Sequence, residues 1–209
     1  TKDNEVILLE KNDRVGKKIL ATGNGKCNLG NENLSVDCYY SKNGSFVEQV
    51  LKRYDTESAV SFFSSIGLKV RSKNGYLYPY AEQASVVLDV LRMELERRSI
   101  QVKPEVQIKD CIPLKKKRGF QLKTSEGKSY EADRVILACG GPASLKEGGK
   151  DGYNILQKLG LKTYPLVPGL VQLRTDGKEQ KAMSGVRCKA SLRLFTDGIQ
   201  QGSEQGELQ

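Results

Sequence analysis

Residues 22 to 28 read Thr22-Gly23-Asn24-Gly25-Lys26-Cys27-Asn28, which puts two glycines, two amides, a cation and a thiol in seven positions. Glycines without a Cβ let backbone N–H groups come close to an anion or to a flat heteroaromatic ring. The same composition also makes an ordinary solvated turn. Upstream, Glu5-Val6-Ile7-Leu8-Leu9 is a continuous apolar run of strand length that ends at Glu10, the pattern of a parallel strand covered on both faces. A carboxylate at such an end either meets water or accepts hydrogen bonds from the ribose hydroxyls of an adenine dinucleotide in a Rossmann-type sheet. Cys27 is the candidate reactive side chain, because an ammonium such as that of Lys26 favours thiolate. The competing reading is a small buried thiol that packs, and no resolving cysteine stands beside it.

Composition narrows the chemistry. The chain has 209 residues and no histidine, which removes the commonest general base and the commonest metal ligand. Cys27, Cys38, Cys111, Cys139 and Cys188 are odd in number and widely spaced, with no C-x-x-C pair, so neither a disulfide framework nor a metal site is expected. An enzyme built this way leaves the chemistry to a cofactor. Reduced thiols, no apolar run near the ~20 residues of a membrane span, and no apolar leader after Thr1 suggest a cytoplasmic protein with no membrane partner. The formal net charge of +9 raises nucleic acid as a partner. However, Lys115-Lys116-Lys117-Arg118 sits between two strand-like runs, where a solvated hairpin tip is expected, and lacks interleaved aromatics to stack bases.

The segment Leu9-Glu10-Lys11-Asn12-Asp13-Arg14-Val15-Gly16-Lys17-Lys18-Ile19-Leu20-Ala21-Thr22-Gly23-Asn24-Gly25-Lys26-Cys27-Asn28 resembles the signature of the BaiN-like, aminoacetone-oxidase-like FAD-dependent flavoproteins. The likeness resumes at Ala132-Asp133-Arg134-Val135-Ile136-Leu137-Ala138-Cys139-Gly140-Gly141 and Gly149-Lys150-Asp151-Gly152-Tyr153, similar to that family's second FAD motif and its downstream Asp-Gly-Tyr. It covers nearly the whole chain. The resemblance implies that Glu10 holds the adenosine ribose and that Val106 meets adenine through its backbone. Ala138, Cys139, Gly140 and Gly141 would let the chain pass close to the dinucleotide, with Thr22 to Asn28 beside the pyrophosphate and isoalloxazine. Lys11, Lys18, Asp151 and Gly152 lie in the matched motifs and join the cofactor-binding set. The family's opening G-x-G-x-x-G unit and its C-terminal return segment do not occur within residues 1–209, so the resemblance implies a fragment that holds FAD weakly by itself.

These residues must be carried by recognisable elements. A short helix is expected around Lys17 to Ala21, then two helices between Ser45 and Ile66 that meet at Asp55-Thr56 and stop at Gly67. Tyr76 to Tyr80 reads as an aromatic strand or loop. Gln83 to Ser99 reads as an amphipathic helix with Val86, Val87, Val90, Leu91 and Leu95 inward. Gln101-Val102, Val106 to Ile112, Gly119 to Thr124 and Lys128 to Ala132 suggest a β-meander, and Ala132 to Gly141 a second buried parallel strand. Asp151 to Leu159 is a helix closed by Gly160, and Leu192 to Phe195 alternates like a strand of another sheet. The expected fold is α/β: a Rossmann-like FAD-binding domain over 1–165, combining a parallel sheet with an antiparallel meander, and the start of an inserted β-rich domain over 166–209. The expected function is flavoprotein hydride transfer to or from a small-molecule substrate through the flavin N5 and C4a, with Lys26 and nearby amides facing charge on the reduced flavin, and with NAD(P)H open as the donor. The alternatives are a flavin-dependent tRNA-modifying protein and a basic nucleic-acid-binding module.

Overall fold

The computed structural model describes residues 4–21, 25–115, 118–142, 149–167, 186 and 188–208. Two compact units divide between Thr163 and Tyr164. In the first, strand β1 (Ile7–Leu9) is followed by helix α1 (Lys17–Leu20), strand β2 (Gly30–Asn31), helices α2 (Gly44–Arg53) and α3 (Thr56–Ser65), strands β3 (Val70–Lys73) and β4 (Tyr76–Pro79), and helix α4 (Ala84–Arg97). Strand β5 (Gln101–Lys103), the antiparallel strands β6 (Ile108–Pro113), β7 (Phe120–Thr124) and β8 (Ser129–Ala132), and helix α5 (Asp151–Lys158) complete it.

Local chemistry explains most of these boundaries. Asn43 caps α2 by accepting the Phe46 N–H at 3.1 Å, and Asp55 caps α3 by accepting the Ser58 N–H at 2.8 Å, each satisfying a donor that a helix start leaves unpaired. Gly67 ends α3 at φ +90°, and Gly160 follows α5 at φ +76°. β3 and β4 form a hairpin about Asn74-Gly75, whose φ values of +55° and +82° match the primed turn that suits strand twist. Helix α4 buries Ala84, Val87 and Leu88. Val86, Val90, Leu91 and Leu95, expected inward, are half-buried.

Two strand expectations change. Residues 101–103 leave the meander and pair with β1 in parallel, Leu8 opposite Val102. Three residues carry too little pattern to tell an antiparallel neighbour from a parallel one. The run from Arg134 to Gly140 forms no regular element and joins no ladder among the described residues. Its apolar residues alternate: Val135 and Leu137 pack on the core of Cys111, Leu122 and Ile155, while Ile136 is 91% exposed. Leu9 joins the same core from β1, and the Lys103 ammonium sits 5.0 Å above the Tyr130 ring, so the parallel pair and the meander share one interior.

In the second unit, β9 (Cys188–Thr196) and β10 (Ile199–Leu208) form a hairpin about Asp197-Gly198, with a register irregularity between Gln200 and Gly202. It contains the expected strand Leu192 to Phe195.

The meander gives a paired test of backbone constraint. Gly127 has φ +82° with open space where a Cβ would go, whereas Gly119 has φ +123° and a Cβ there would stand 2.7 Å from the Ala132 carbonyl oxygen. Gly127→Ala should cost about 1 kcal/mol of strain alone. Gly119→Ala should cost about 2 kcal/mol or more, because backbone must also shift. Chemical denaturation of both variants measures the difference, and equal losses would refute the close approach.

Candidate functional site

The parallel pairing continues past both strand ends. The Glu10 N–H donates to the Lys103 carbonyl at 3.0 Å, the Val106 N–H to the Glu10 carbonyl at 2.8 Å, and the Glu105 N–H to the Asn12 carbonyl at 2.9 Å. Glu105 adopts φ +58° in making this turn. Glu10, half-buried, has its carboxylate held at the strand end: Oε1 accepts from the Asn12 backbone N–H at 2.8 Å and from its side-chain amide at 2.5 Å. Glu10 and Val106, nearly a hundred residues apart, thus stand side by side.

Next to them, the Lys11 ammonium lies 3.2 Å from Asp151 Oδ2, which also accepts from Gln107 at 3.3 Å. Burial alone would push the Asp151 carboxyl up, but the hydrogen bonds from Lys11 and Gln107 and the nearby charges outweigh it and hold the group below its ordinary value. Asp151 opens helix α5, so this pair clamps the helix start to the end of β1. Glycines then let backbone meet backbone. Gly140 has φ +71°, and the Lys18 ammonium lies 3.5 Å from the point a side chain on it would occupy. A Cβ on Gly149 would collide with the Gly141 carbonyl oxygen and Pro142 Cα, and one on Gly152 would stand 3.4 Å from Cys139 Sγ. Ala138, Cys139 and Gly140 are exposed. Lys11, Lys18, Cys139, Gly140, Gly141, Asp151 and Gly152 therefore fall into two groups, at the end of β1 and where residues 139–142 meet residues 149–152.

Of the loop before β2, Thr22, Gly23 and Asn24 lie outside the described residues. Gly25 has φ +63°, and Asn28 accepts the Gly30 N–H at 2.9 Å while the Leu29 N–H donates to the Leu77 carbonyl at 2.8 Å, docking the loop on β4. Lys26 does not serve Cys27 as expected. Its ammonium pairs with Glu82 at 2.8 Å, and burial pushes the Cys27 thiol up. A thiol with its counter-charge committed elsewhere stays protonated. Cys27 also sits at φ +57°. Four participants carried no sequence signal: Gln107 beside Asp151, Glu82, and Arg71 and Lys73, which join Lys26 on Glu82.

Residues 1–195 match the family model described as the HI0933-like protein Rossmann domain. The chain belongs to the HI0933-like Rossmann family. It is 39% identical over 208 residues, 99% of its length and 50% of the relative's, to the 3-dehydro-bile acid delta(4,6)-reductase of Clostridium scindens. It is 27% identical over 193 residues, 90% of its length and 48% of the relative's, to the ribosomal RNA dihydrouridine synthase of Haemophilus influenzae. This HI0933-like chain spans about half the length of the curated relatives it matches. A solved structure of NikD, an unusual amino acid oxidase essential for nikkomycin biosynthesis, shares 14% identity at a TM-score of 0.40, over 76% of this chain and 49% of that one, too loose a likeness to bear on fold or function. Membership makes the domain an FAD-binding Rossmann domain. Among the described residues, no helix is long and apolar enough to cross a membrane.

Two measurements check this geometry. Burial that raises the Cys27 thiol should make it alkylate more slowly with iodoacetamide at neutral pH than the exposed Cys38 and Cys188; peptide mass spectrometry reads the order, and a fastest-reacting Cys27 would restore the thiolate reading. Because the Asp151 carboxyl lies below its ordinary 3.8 when folded, its pairing stabilises above that value and is lost as pH falls through the lower folded one. Asp151→Asn should cost no more than about 1 kcal/mol near neutrality, the pair being partly exposed. Melting at a series of pH values should show the gap to wild type closing in acid.

Proposed function

We propose that this chain forms most of the FAD-binding part of a reductase-type flavoprotein that moves hydride between the flavin and a small-molecule substrate. The observation that carries this reading is the Glu10–Val106 juxtaposition, with the Lys11–Asp151 clamp beside it. Glu10 has a carboxylate fixed at a strand end where ribose hydroxyls can donate to it. The Val106 N–H is committed to the Glu10 carbonyl, so an adenine contact there falls to the Val106 carbonyl. Lys18 next to Gly140 offers a cation where backbone and pyrophosphate would approach. Gly149 and Gly152 let the chain pack on Gly141, Pro142 and Cys139, while a Cβ on Gly140 or Gly141 would meet only the Lys18 ammonium at 3.5 Å or the Tyr153 hydroxyl at 3.9 Å, so a ligand can come close to the backbone at these two. Bound FAD would supply the hydride chemistry at N5. Cys27, protonated, would pack rather than react. A small-molecule substrate is favoured by the 39% identity to a named bile acid reductase, and NAD(P)H stays open as the donor. Five free thiols suit a cytoplasmic location.

A second reading, flavin-dependent RNA modification, rests on the +9 net charge and the 27% identity to a ribosomal RNA dihydrouridine synthase. Its mark would be RNA binding that weakens steeply with salt.

In the full-length protein, FAD binding is followed by quenching of flavin fluorescence. A hydrogen bond to a charged acceptor contributes roughly 1.5–3 kcal/mol, so Glu10→Ala should weaken FAD binding about 10- to 100-fold. Replacing Lys115 and Arg118, both exposed in the β6–β7 turn, should leave the affinity within about 0.5 kcal/mol. Unchanged affinity in Glu10→Ala would remove the ribose role.

A further inference from the structure

One cluster stands apart from the Glu10–Val106 and Lys11–Asp151 contacts, although it draws Lys26 from the glycine-rich loop. Around Glu82, the Lys26 ammonium lies 2.8 Å from Oε2, the Lys73 ammonium 3.6 Å from Oε1, and the Arg71 guanidinium contacts Oε1 directly. Three cations share one carboxylate, and no other acidic partner of theirs is found among the described residues. Two positive charges are left uncompensated within a few ångströms. The side chains stand at a three-way junction: Lys26 from the glycine-rich loop, Arg71 and Lys73 from β3, and Glu82 from the turn between β4 and α4. Arg71 and Lys73 alternate along β3, so they lie on one face of that strand.

Mutual repulsion of like charges disfavours such an arrangement unless an anion is present. Glu82 adopts φ +50° in a turn closed by its N–H donating to the Pro79 carbonyl at 2.8 Å. Glu82 is the most shielded member, its side chain 18% exposed, while the cations are 38%, 39% and 53% exposed and open to a ligand. The Arg71 Nε is buried without a hydrogen-bond partner, so the guanidinium fork is only partly used. Its flat face is steadied by the Tyr80 ring, 5.7 Å from ring centre to guanidinium carbon. A planar fork with two ammonium groups is the donor set that recognises an oxyanion.

We propose that Lys26, Arg71 and Lys73 form an oxyanion-binding subsite for the substrate, with Glu82 as an internal counter-ion that holds the three cations together and yields part of that role when the ligand's carboxylate or phosphate arrives. This rests on the flavoprotein reading above and narrows its substrate to an anionic small molecule. Three cations gathered on one point suit a single oxyanion. A nucleic acid needs a track of phosphate contacts.

Inorganic phosphate serves as the probe. Its binding to the full-length protein, without and with FAD, is measured by calorimetry at low ionic strength. Arg71→Met with Lys73→Met should weaken phosphate binding about tenfold or more, and Glu82→Gln, which removes the competing carboxylate, should tighten it several-fold. Lys73→Met alone, at the most exposed cation, should weaken binding with no change in melting temperature, which separates ligand binding from folding. FAD affinity, read in parallel by fluorescence quenching, should be unchanged in the double variant. Four results would overturn the proposal: phosphate binding insensitive to all three variants, Glu82→Gln weakening it, FAD lost in step with phosphate, which would assign the cluster to the cofactor's pyrophosphate, or single-stranded RNA displacing phosphate at submicromolar concentration. If wild-type protein takes phosphate as described but no FAD, the flavoprotein reading fails while the oxyanion site stands.

Discussion

Parallel pairing of β1 with β5 is the constraint on which the rest of the first unit depends. The ladder from Ile7–Gln101 to Leu9–Lys103 runs on through the Glu10 and Val106 backbones and then the Asn12 and Glu105 backbones. Each such bond contributes only about 1 kcal/mol net, so its importance is geometric. A slip of one residue would turn Leu9 out of the core it shares with Cys111 and Leu122 and point Glu10 the other way. Because Leu9 is committed to that core, the register is fixed, and with it the place where Glu10, Lys11 and Val106 emerge. Helix α5 is then seated by Ile155, 2% exposed in the same core, and brings Asp151 to Lys11. Apolar packing decides the position, and the polar pair adds direction.

Charge works differently in the two clusters. Lys11 and Asp151 balance, with Gln107 completing the carboxylate's contacts. Around Glu82 the cations outnumber the carboxylate. Partly exposed ion pairs stabilise a fold by at most about 1 kcal/mol, so neither group accounts for stability. They orient loops: one sets the start of α5, the other holds the 25–29 loop against β3 and β4. The same loop is anchored by the Leu29–Leu77 backbone bond.

The sequence made the local features legible because local physics specifies them. Asp55 and Gly67 bracket α3, and the apolar spacing of α4 is helical. Glu10 was legible as a strand end, and Gly140-Gly141 as the end of an apolar run. Non-local choices were not legible. Nothing in Gln101-Val102-Lys103 says which strand it meets, and the apolar run Val135-Ile136-Leu137 has strand character that becomes a strand only where a neighbour supplies hydrogen bonds. The partner of Lys26 was hidden for the same reason: Glu82 is 56 positions away, and adjacency to Cys27 in the chain suggested a pairing that the β2–β4 contact replaces. Arg71 and Lys73 looked like ordinary surface charges until folding placed them around one carboxylate.

The most direct measurement is amide hydrogen exchange of the full-length protein with and without FAD, read by peptide mass spectrometry. If the extended β1–β5 register organises the dinucleotide site, FAD should slow exchange in the segments covering residues 7–12 and 101–107, and in 149–153 through the Lys11–Asp151 clamp. FAD bound at full occupancy with exchange unchanged across residues 7–12 and 101–107 would contradict it, and would place the cofactor on a different part of the chain.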